Sequence, residues 1–598
     1  MSLPADFHFW FVLLALVFMT IALVRELAST EMVVFGTLLV LLLGQVLTPK
    51  EAFAGFSNGG VLTILFLYVI AGALQATQLS TALARPLFSR GNPSLTWRLA
   101  RLLTPLTALS AFTNNTTIVA ALVPVIRKWA RQNSHPASKY LLPLSYATIL
   151  GGLCTLVGTS TNLILHGFLL EMGHPGFSFF DLSVLGLPVA FIGLLYIIFI
   201  AHRLLPANRE PFQNLGSSTR EFVVEMKVGD DFPGIRQTVE EAGLRHLRGL
   251  FLFQIERDGR SIAPVQPLER VYPGDRLFFT GLPETILELQ KFRGLRTVED
   301  ATFDPATYDS DRHGVFEAVV SGSSPLVGQT VRESAFRDRY DAVILAIHRN
   351  GERIEEKVGD IVLHGGDTLL LLAQMNFDRK WYHSRDFYLV TRHREQESNK
   401  PPQKAWLTAV LFLGFILAAV TGVLPTVAAA AAAAMGLLLF RCLSPQDAKS
   451  SINYQVVITI AAAFGIGKAV ANVGLASTFA ELLTQSLGDL GVLPVLFGLY
   501  FLTNIYSAFI TNAAAAALLF PVAVSLAEGM SLPLLPLALL IAVAASAEFS
   551  LPIGYQTNLM VYGPGGYRVR DYLRAGLPLN LMAGIVSVWM AYWWFFLG

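Results

Sequence analysis

The chain has 598 residues and a formal net charge of +1; 53% of its residues are hydrophobic and only 15% charged. A soluble globular chain carries about 25% charged residues, so this composition excludes an ordinary soluble domain, and the near-zero balance gives no electrostatic case for a nucleic-acid partner. The two cysteines, Cys154 and Cys442, lie in or beside apolar stretches and predict neither a disulfide framework nor a thiolate metal site.

Crossing a bilayer takes roughly 20 mainly apolar residues. In chain order, the first such runs fall near 7–24, 31–48 and 60–77. The run at 7–24 lacks a basic flank and a small-residue cleavage signal, so it is predicted to stay as a span. A segment near 99–129 follows, with Ser110-Ala111-Phe112-Thr113-Asn114-Asn115 near its middle and Pro124 beyond. We read it as a re-entrant helical hairpin with the polar phrase at its tip, because irregular backbone survives at membrane depth only where protein or a cavity covers it. The run at 140–170 is too long for one straight span and is broken by Gly158-Thr159-Ser160-Thr161-Asn162; another lies near 183–205. Together these form a first membrane part, 1–205.

Residues from about 206 to 400 are charged, with β-type runs at 250–255, 276–280, 342–347 and 368–372. This segment repeats itself. Gln237-Thr238-Val239 matches Gln329-Thr330-Val331, Arg257-Asp258-Gly259 matches Arg349-Asn350-Gly351, and Gly274-Asp275 matches Gly366-Asp367. Asp-Gly and Asn-Gly are hairpin-turn pairs, so each copy reads as strand, short helix, strand, turn, strand. The prediction is two small α+β domains, 206–300 and 301–400. Arg257 and Arg349, at the same turn in both, read as solvent charges, with contact to a nucleotide phosphate as the alternative. His348 and His364 have no metal-ligand spacing.

The second membrane part, 401–598, has runs near 405–422, 424–441, 455–472, 533–562 and 578–597. It restates the first. Ser507-Ala508-Phe509-Ile510-Thr511-Asn512, followed by Pro521, sits in a second hairpin near 491–527. The run at 533–562 is broken by Pro552-Ile553-Gly554-Tyr555-Gln556-Thr557-Asn558. Leu47-Thr48-Pro49 returns as Leu443-Ser444-Pro445, and Gly186-Leu187-Pro188 as Gly576-Leu577-Pro578. Such a duplication is a common ground plan of secondary transporters. The alanine run at 428–434 reads as a surface for close helix packing.

Each half, with five spans and one hairpin, makes an odd number of crossings, so the repeat should invert. Lys and Arg collect in cytoplasmic loops. Arg85, Arg90, Arg98 and Arg101 precede the first hairpin; Arg127, Lys128, Arg131 and Lys139 follow it; Arg568, Arg570 and Arg574 precede the last span. The loops near 172–182, 473–490 and 525–533 have neither residue, and Lys50 is a mild exception outside. The expected fold is an α-helical polytopic membrane protein. It is an inverted repeat of five spans plus one re-entrant hairpin each, with a cytosolic α+β tandem insert. Residues 206–400 are expected in the cytoplasm and both termini outside the plasma (inner) membrane.

With Asn114-Asn115-Thr116 and Thr511-Asn512-Ala513 at the two tips and Gly158…Asn162 at the first break, the membrane parts resemble the divalent anion:sodium symporter family, relatives of sodium–sulfate and sodium–carboxylate cotransporters. That family has Ser-Asn-Thr at both tips, so Asn114 and Ala513 depart from it. The insert, through Gly322-Ser323-Ser324-Pro325-Leu326-Val327-Gly328 and Gly366-Asp367, resembles paired TrkA C-terminal (RCK C-type) domains. No Gly-x-Gly-x-x-Gly follows a strand there, so a dinucleotide-binding half is not expected.

The resemblance implies a sodium-coupled carrier for a small divalent anion, an elevator motion and a homodimer in the lipid bilayer. It implies one sodium site from Ser110, Asn114 and Gly158 and another from Ser507, Thr511 and Gly554. Asn115, Thr116 and Asn512 then face the substrate, with Thr159 and Thr557 nearby. The chemistry is coherent. Helix N-termini offer N–H groups and partial positive charge to an anion, Asn and Thr add directed hydrogen bonds, and Na+ supplies compensating charge. The missing hydroxyl at Ala513 favours sulfate, with a dicarboxylate carrier as the alternative and a ligand-gated anion channel as a second. A regulatory nucleotide is a candidate ligand of the insert. Lys468 and Glu548 are charges inside apolar sequence with a candidate transport role. No nucleophile–base pair, phosphate loop or metal spacing suggests an enzyme.

Overall fold

The computed structural model describes residues 5–25, 27–77, 94–133, 135–208, 223–244, 247, 250–258, 260–262, 265–266, 268–281, 292–297, 313–322, 324–349, 352–354, 356, 358–381, 384, 386–392 and 404–597. Arg85, Arg90, Gly259, Ser323, Asn350 and Gly351, used in the sequence reading, lie outside them. The chain divides into two compact units: Met1–Ala207 with Lys400–Val561 and Arg568–Gly598, and Asn208–Asn399 with Tyr562–Tyr567.

The first unit is helical among the described residues, and its helices come in two matching series. The first is α1 (Ala5–Val24), α2 (Thr30–Leu43), α3 (Pro49–Phe53), α4 (Gly59–Ala76), α5 (Leu95–Ser110), α6 (Asn115–Gln132), α7 (Ser138–Gly152), α8 (Ser160–Glu171) and α9 (Ser183–Tyr196). The second is α10 (Ala405–Thr421), α11 (Thr426–Leu439), α12 (Pro445–Ser451), α13 (Tyr454–Asn472), α14 (Leu475–Leu487), α15 (Val492–Phe509), α16 (Asn512–Gly529), α17 (Leu534–Ser546), α18 (Gln556–Tyr562) and α19 (Val569–Tyr592). Among the described residues, six helical stretches are long and apolar enough to cross a membrane, and five shorter apolar helices accompany them.

Local chemistry sets the boundaries. Thr48 caps α3 by accepting from the Glu51 amide while Glu51 reaches back, with Pro49 at the first helical position. Ser444 caps α12 by accepting from the Asp447 amide and meets the Asp447 carboxylate through its hydroxyl, with Pro445 at the first helical position. The helices break at the two predicted polar phrases, between Ser110 and Asn115 and between Phe509 and Asn512. The two long runs break between Gly152 and Ser160 and between Ser546 and Gln556. One reading is corrected: the 473–490 segment, taken as a loop, holds α14. Its buried side is only Leu475, Ala476 and Ala480, and its polar residues keep it from registering as an apolar run.

The duplicated Gly-Leu-Pro phrases hold the breaks. A Cβ on Gly186 would stand 2.2 Å from the Leu153 carbonyl oxygen, and one on Gly576 would stand 1.9 Å from that of Phe549. In both halves the closing helix therefore lies with its backbone directly on the interrupted segment.

The second unit contains two five-stranded antiparallel sheets of the same design. The first runs β3-β2-β4-β1-β5, from β1 (Val223–Val228), β2 (Leu250–Arg257), β3 (Arg260–Ile262), β4 (Arg276–Gly281) and β5 (Leu295–Thr297). The second runs β10-β6-β9-β7-β8, from β6 (His313–Val320), β7 (Ala342–Arg349), β8 (Glu352–Arg353), β9 (Thr368–Gln374) and β10 (Phe387–Arg392). Even the irregularities repeat: the register shifts between Leu252 and Gln254 and between Ile344 and Ala346. Phe253 and Phe278 of the first sheet share one buried apolar cluster with Val315, Val343, Leu345, Ala346, Leu370 and Leu372 of the second.

The solvent-charge reading of Arg257 and Arg349 is corrected. Arg257 donates from Nε and Nη2 to the buried Asp275 at 2.8 and 2.9 Å and stacks on Tyr272. Arg349 donates in the same way to the buried Asp367, at 2.7 Å for both bonds. These bonds hold both guanidinium groups above their ordinary pKa. Each arginine therefore ties its strand, β2 or β7, to the turn before the strand paired with it, β4 or β9, and its fork is already filled by a carboxylate.

Candidate functional site

Four polar phrases interrupt helices in the first unit, and in each the chain re-enters a helix at a polar residue. α6, α8, α16 and α18 begin at Asn115, Ser160, Asn512 and Gln556. Asn114 caps α6, accepting from the Thr116 amide at 2.9 Å; Thr159 caps α8 through the Thr161 amide; Thr511 caps α16 through the Ala514 amide. Each helix start still has N–H groups without an intrahelical partner, a ready arrangement for an anion.

The two tips place their serine alike. Ser110, fully buried, donates within reach of Asn115 Oδ1 at 2.6 Å and the Thr148 carbonyl at 2.9 Å. Ser507, also fully buried, has the same relation to Asn512 Oδ1 at 3.0 Å and the Ala545 carbonyl at 2.6 Å. Each serine thus fixes the tip asparagine against the helix that precedes a break. The breaks match too. Asn162 donates to the Gly152 and Thr155 carbonyls, and Asn558 to those of Glu548 and Leu551. Asn162 and Asn558 were read only as parts of a phrase; their role here is to close the loops.

The first tip meets the second break. Asn115 Nδ2 donates to the Tyr555 hydroxyl at 2.8 Å, and Thr116 Oγ1 lies 3.5 Å from Gln556 Oε1. Asn115 and the Gly158 carbonyl converge on one point, since a Cβ on Gly152 would lie 2.8 Å from Asn115 Nδ2 and 3.1 Å from the Gly158 oxygen. On the other side, Gly554 packs against Ala508 of the second tip. Ser110, Asn115 and Gly158 therefore form one oxygen-bearing cluster, and Ser507 and Asn512, with Gly554 against Ala508, form another. Asn512 is half-buried and Gln556 exposed, so their amides are accessible.

Two expected residues stand elsewhere. Thr557 is fully buried and bonds Ser145 of α7 at 2.8 Å, so it holds the break to that helix and does not face outward. Thr159 is buried, with its hydroxyl 3.4 Å from Ser546. Tyr555 and Gln556, rather than Thr557, lie against the first tip. The signal was available, because aligning Gly158 with Gly554 sets Tyr555 and Gln556 opposite Thr159 and Ser160. Lys468 is exposed, whereas Glu548 is fully buried beside the second break.

Comparison with known proteins adds a family. A family model described as CitMHS, citrate transporter, matches residues 15–544 and 493–598. A Chlamydomonas reinhardtii protein named for the sulfur deprivation response is 35% identical over 577 residues, covering 95% of this chain and 98% of the relative. Sodium/sulfate cotransporter 2 of the same alga is 26% identical, covering 92% of this chain and 86% of the relative. The sodium-dependent dicarboxylate transporter SdcS of Staphylococcus saprophyticus is 28% identical over 176 residues, covering 27% of this chain and 34% of the relative.

Proposed function

The chain belongs to the citrate transporter family, and from that premise we propose that it is a secondary symporter carrying a small divalent oxyanion, sulfate first, together with sodium. The observation that carries the reading is the neutrality of the paired tips. Asn115, Thr116, Asn512 and Gln556 offer amide and hydroxyl groups at three helix starts, and no Lys or Arg belongs to either tip or either break. An anion held by neutral donors alone keeps most of its charge uncompensated in a low-dielectric setting. A co-bound cation supplies the balance, which couples the two fluxes.

Hard oxygen ligands suit sodium. Ser110, Asn114 and Gly158 are proposed for one site, with Asn115 Oδ1 added by its place in that cluster; Ser507, Thr511 and Gly554 are proposed for the other. Asn115, Thr116, Asn512, Tyr555 and Gln556 are proposed to touch the anion, and Thr159 to orient the first break. The relatives named for sulfate support the choice of anion, and the partial match to a dicarboxylate transporter supports the alternative. The inverted repeat, the cytoplasmic placement of 206–400, the TrkA-C character of the two sheets, the elevator motion and the homodimer belong to the same proposal.

The test is uptake of radiolabelled sulfate and succinate into proteoliposomes, with and without an inward sodium gradient. Sulfate uptake that requires sodium and is abolished by Asn512→Ala at unchanged expression is expected. Uptake indifferent to sodium, or a fully active Asn512→Ala, refutes the reading.

A further inference from the structure

A loop rich in Gly and Pro normally runs over a protein surface, but Tyr562-Gly563-Pro564-Gly565-Gly566-Tyr567 is buried at every position. It directly follows α18, the short helix that Gln556 opens. It belongs to the compact unit of Asn208–Asn399, whereas Val561 and Arg568 on either side of it belong to the helical unit. The duplication marks it as an addition to the plan. Aligning Gly158 with Gly554 sets 562–567 opposite 166–171, which in the first half simply continue α8. α8 is therefore 12 residues long and α18 only 7.

The loop has its own shape. The Gly566 amide donates to the Gly563 carbonyl at 2.9 Å and the Tyr567 amide to the Tyr562 carbonyl at 3.1 Å. Gly566 has φ +60°, a conformation that glycine adopts without strain. The seat is equally defined. A Cβ on Gly563 would stand 2.2 Å from Thr368 Oγ1 and 2.6 Å from the Gly366 carbonyl oxygen, so the loop backbone lies directly on the turn that opens β9. That turn is the one Arg349 fastens through Asp367. Asn208, at the start of the same unit, donates to the Gly566 carbonyl and lies 3.4 Å from that of Gly565.

The two sheets are unequal at this seat. Where the second has Thr368, the first has Arg276, which is partly exposed and pairs with Glu225. A Cβ on Gly274, the match of Gly366, would meet nothing within 4 Å. The small, buried Thr368 leaves room for backbone where an arginine would stand.

We propose that this loop is a strap by which the second sheet positions α18, so that the β-rich unit sets the anion affinity of the second break. The inference rests on the reading that Gln556 touches the anion. Seven helical residues span only about 10 Å, so displacing the loop end of α18 displaces Gln556. The loop acts through α18, as a positioning element.

The experiment is initial-rate sulfate uptake by the full-length protein in proteoliposomes at saturating sodium, with KM and maximal rate read separately. Gly563→Ala and Thr368→Arg unseat the loop from opposite sides, and the second gives β9 the side chain that β4 already carries. Each should raise the KM for sulfate about fivefold, the lower end of coupling between distinct sites, with maximal rate and expression close to wild type. Thr368 Oγ1 has no hydrogen-bond partner among the described residues, so the isosteric Thr368→Val keeps the seat and should leave KM unchanged. Should both unseating variants fail to fold, Gly563→Cys combined with Thr368→Cys decides. The two Cβ atoms would lie 3.6 Å apart, within disulfide range. Oxidation then fixes the loop on its seat and should bring KM to the wild-type value, and reduction should raise it. Unseating variants with a wild-type KM, a loss confined to maximal rate, or a bridge that forms and leaves KM unmoved overturn the proposal and leave the loop a structural contact. If wild type takes up no sulfate, the symport reading itself fails; if wild type transports and the strap variants match it, only this inference fails.

Discussion

The hydrogen bond from Asn115 to Tyr555 joins tip and break across 440 residues of sequence, and a double-mutant cycle can measure what it contributes. Asn115 is 2% exposed, so its amide has little water to fall back on. Tyr555→Phe removes the acceptor and leaves a buried N–H unpaired, which costs about 1–3 kcal/mol. Asn115→Ala removes both the Tyr555 bond and the acceptor of Ser110. If the tie holds the anion-binding arrangement, each single change raises the KM for anion uptake several-fold at saturating sodium. The double variant should then fall short of the product of the two effects by about fivefold, the equivalent of about 1 kcal/mol of coupling for one buried neutral hydrogen bond. The assay is initial-rate uptake in proteoliposomes at matched protein content. Effects that multiply exactly would show that the tip and break act independently of this bond, and the assembly of one site from both halves would lose its main support.

Gln556→Ala should weaken anion affinity with stability intact, whereas Thr557→Val should lower thermal stability with affinity nearly intact, since Thr557 only anchors the break to Ser145; measuring KM and melting temperature for both separates the roles. Gly576→Ala forces a Cβ to within 1.9 Å of the Phe549 carbonyl, and the resulting shift should cost about 1–3 kcal/mol and depress uptake, visible as a lower melting temperature in detergent. Asp367→Asn should cost the second sheet about 1.5–3 kcal/mol through its charged hydrogen bonds with Arg349, read as earlier loss of the β-sheet infrared band on heating.

The tips and breaks were legible because polar phrases interrupt apolar sequence twice, at matching distances. Their partners were not. Asn115 finds Tyr555 only after helices from opposite ends of the chain pack together, and nothing local to either residue announces it. The tie of Thr557 to Ser145 was equally invisible, because it forms only when the second break packs on the helix that precedes the first. In the insert, the period of the repeat exposed both Arg257 and Arg349, but their partners lie 18 residues on, at Asp275 and Asp367. Only the pairing of β2 with β4 and of β7 with β9 brings each arginine to its carboxylate. α14 escaped notice because a short amphipathic helix carries no continuous apolar run.

The duplication itself separates scaffold from chemistry. Several of the equal pairs build backbone: Thr48 and Ser444 start helices, Gly186 and Gly576 seat breaks, Asn162 and Asn558 close loops, and Ser110 and Ser507 hold the tip asparagines that are proposed to meet the anion. Five of the pairs that differ lie at or against the proposed site: Asn114 and Thr511, Thr116 and Ala513, Thr159 and Tyr555, Ser160 and Gln556, Gly152 and Glu548. A cargo seated between two related copies meets each from a different side, so equal residues would offer it the same contact twice. Exchanging the residues of one of these unequal pairs, Thr116 with Ala513 or Ser160 with Gln556, should alter the anion preference of uptake, read as the ratio of sulfate to succinate transport.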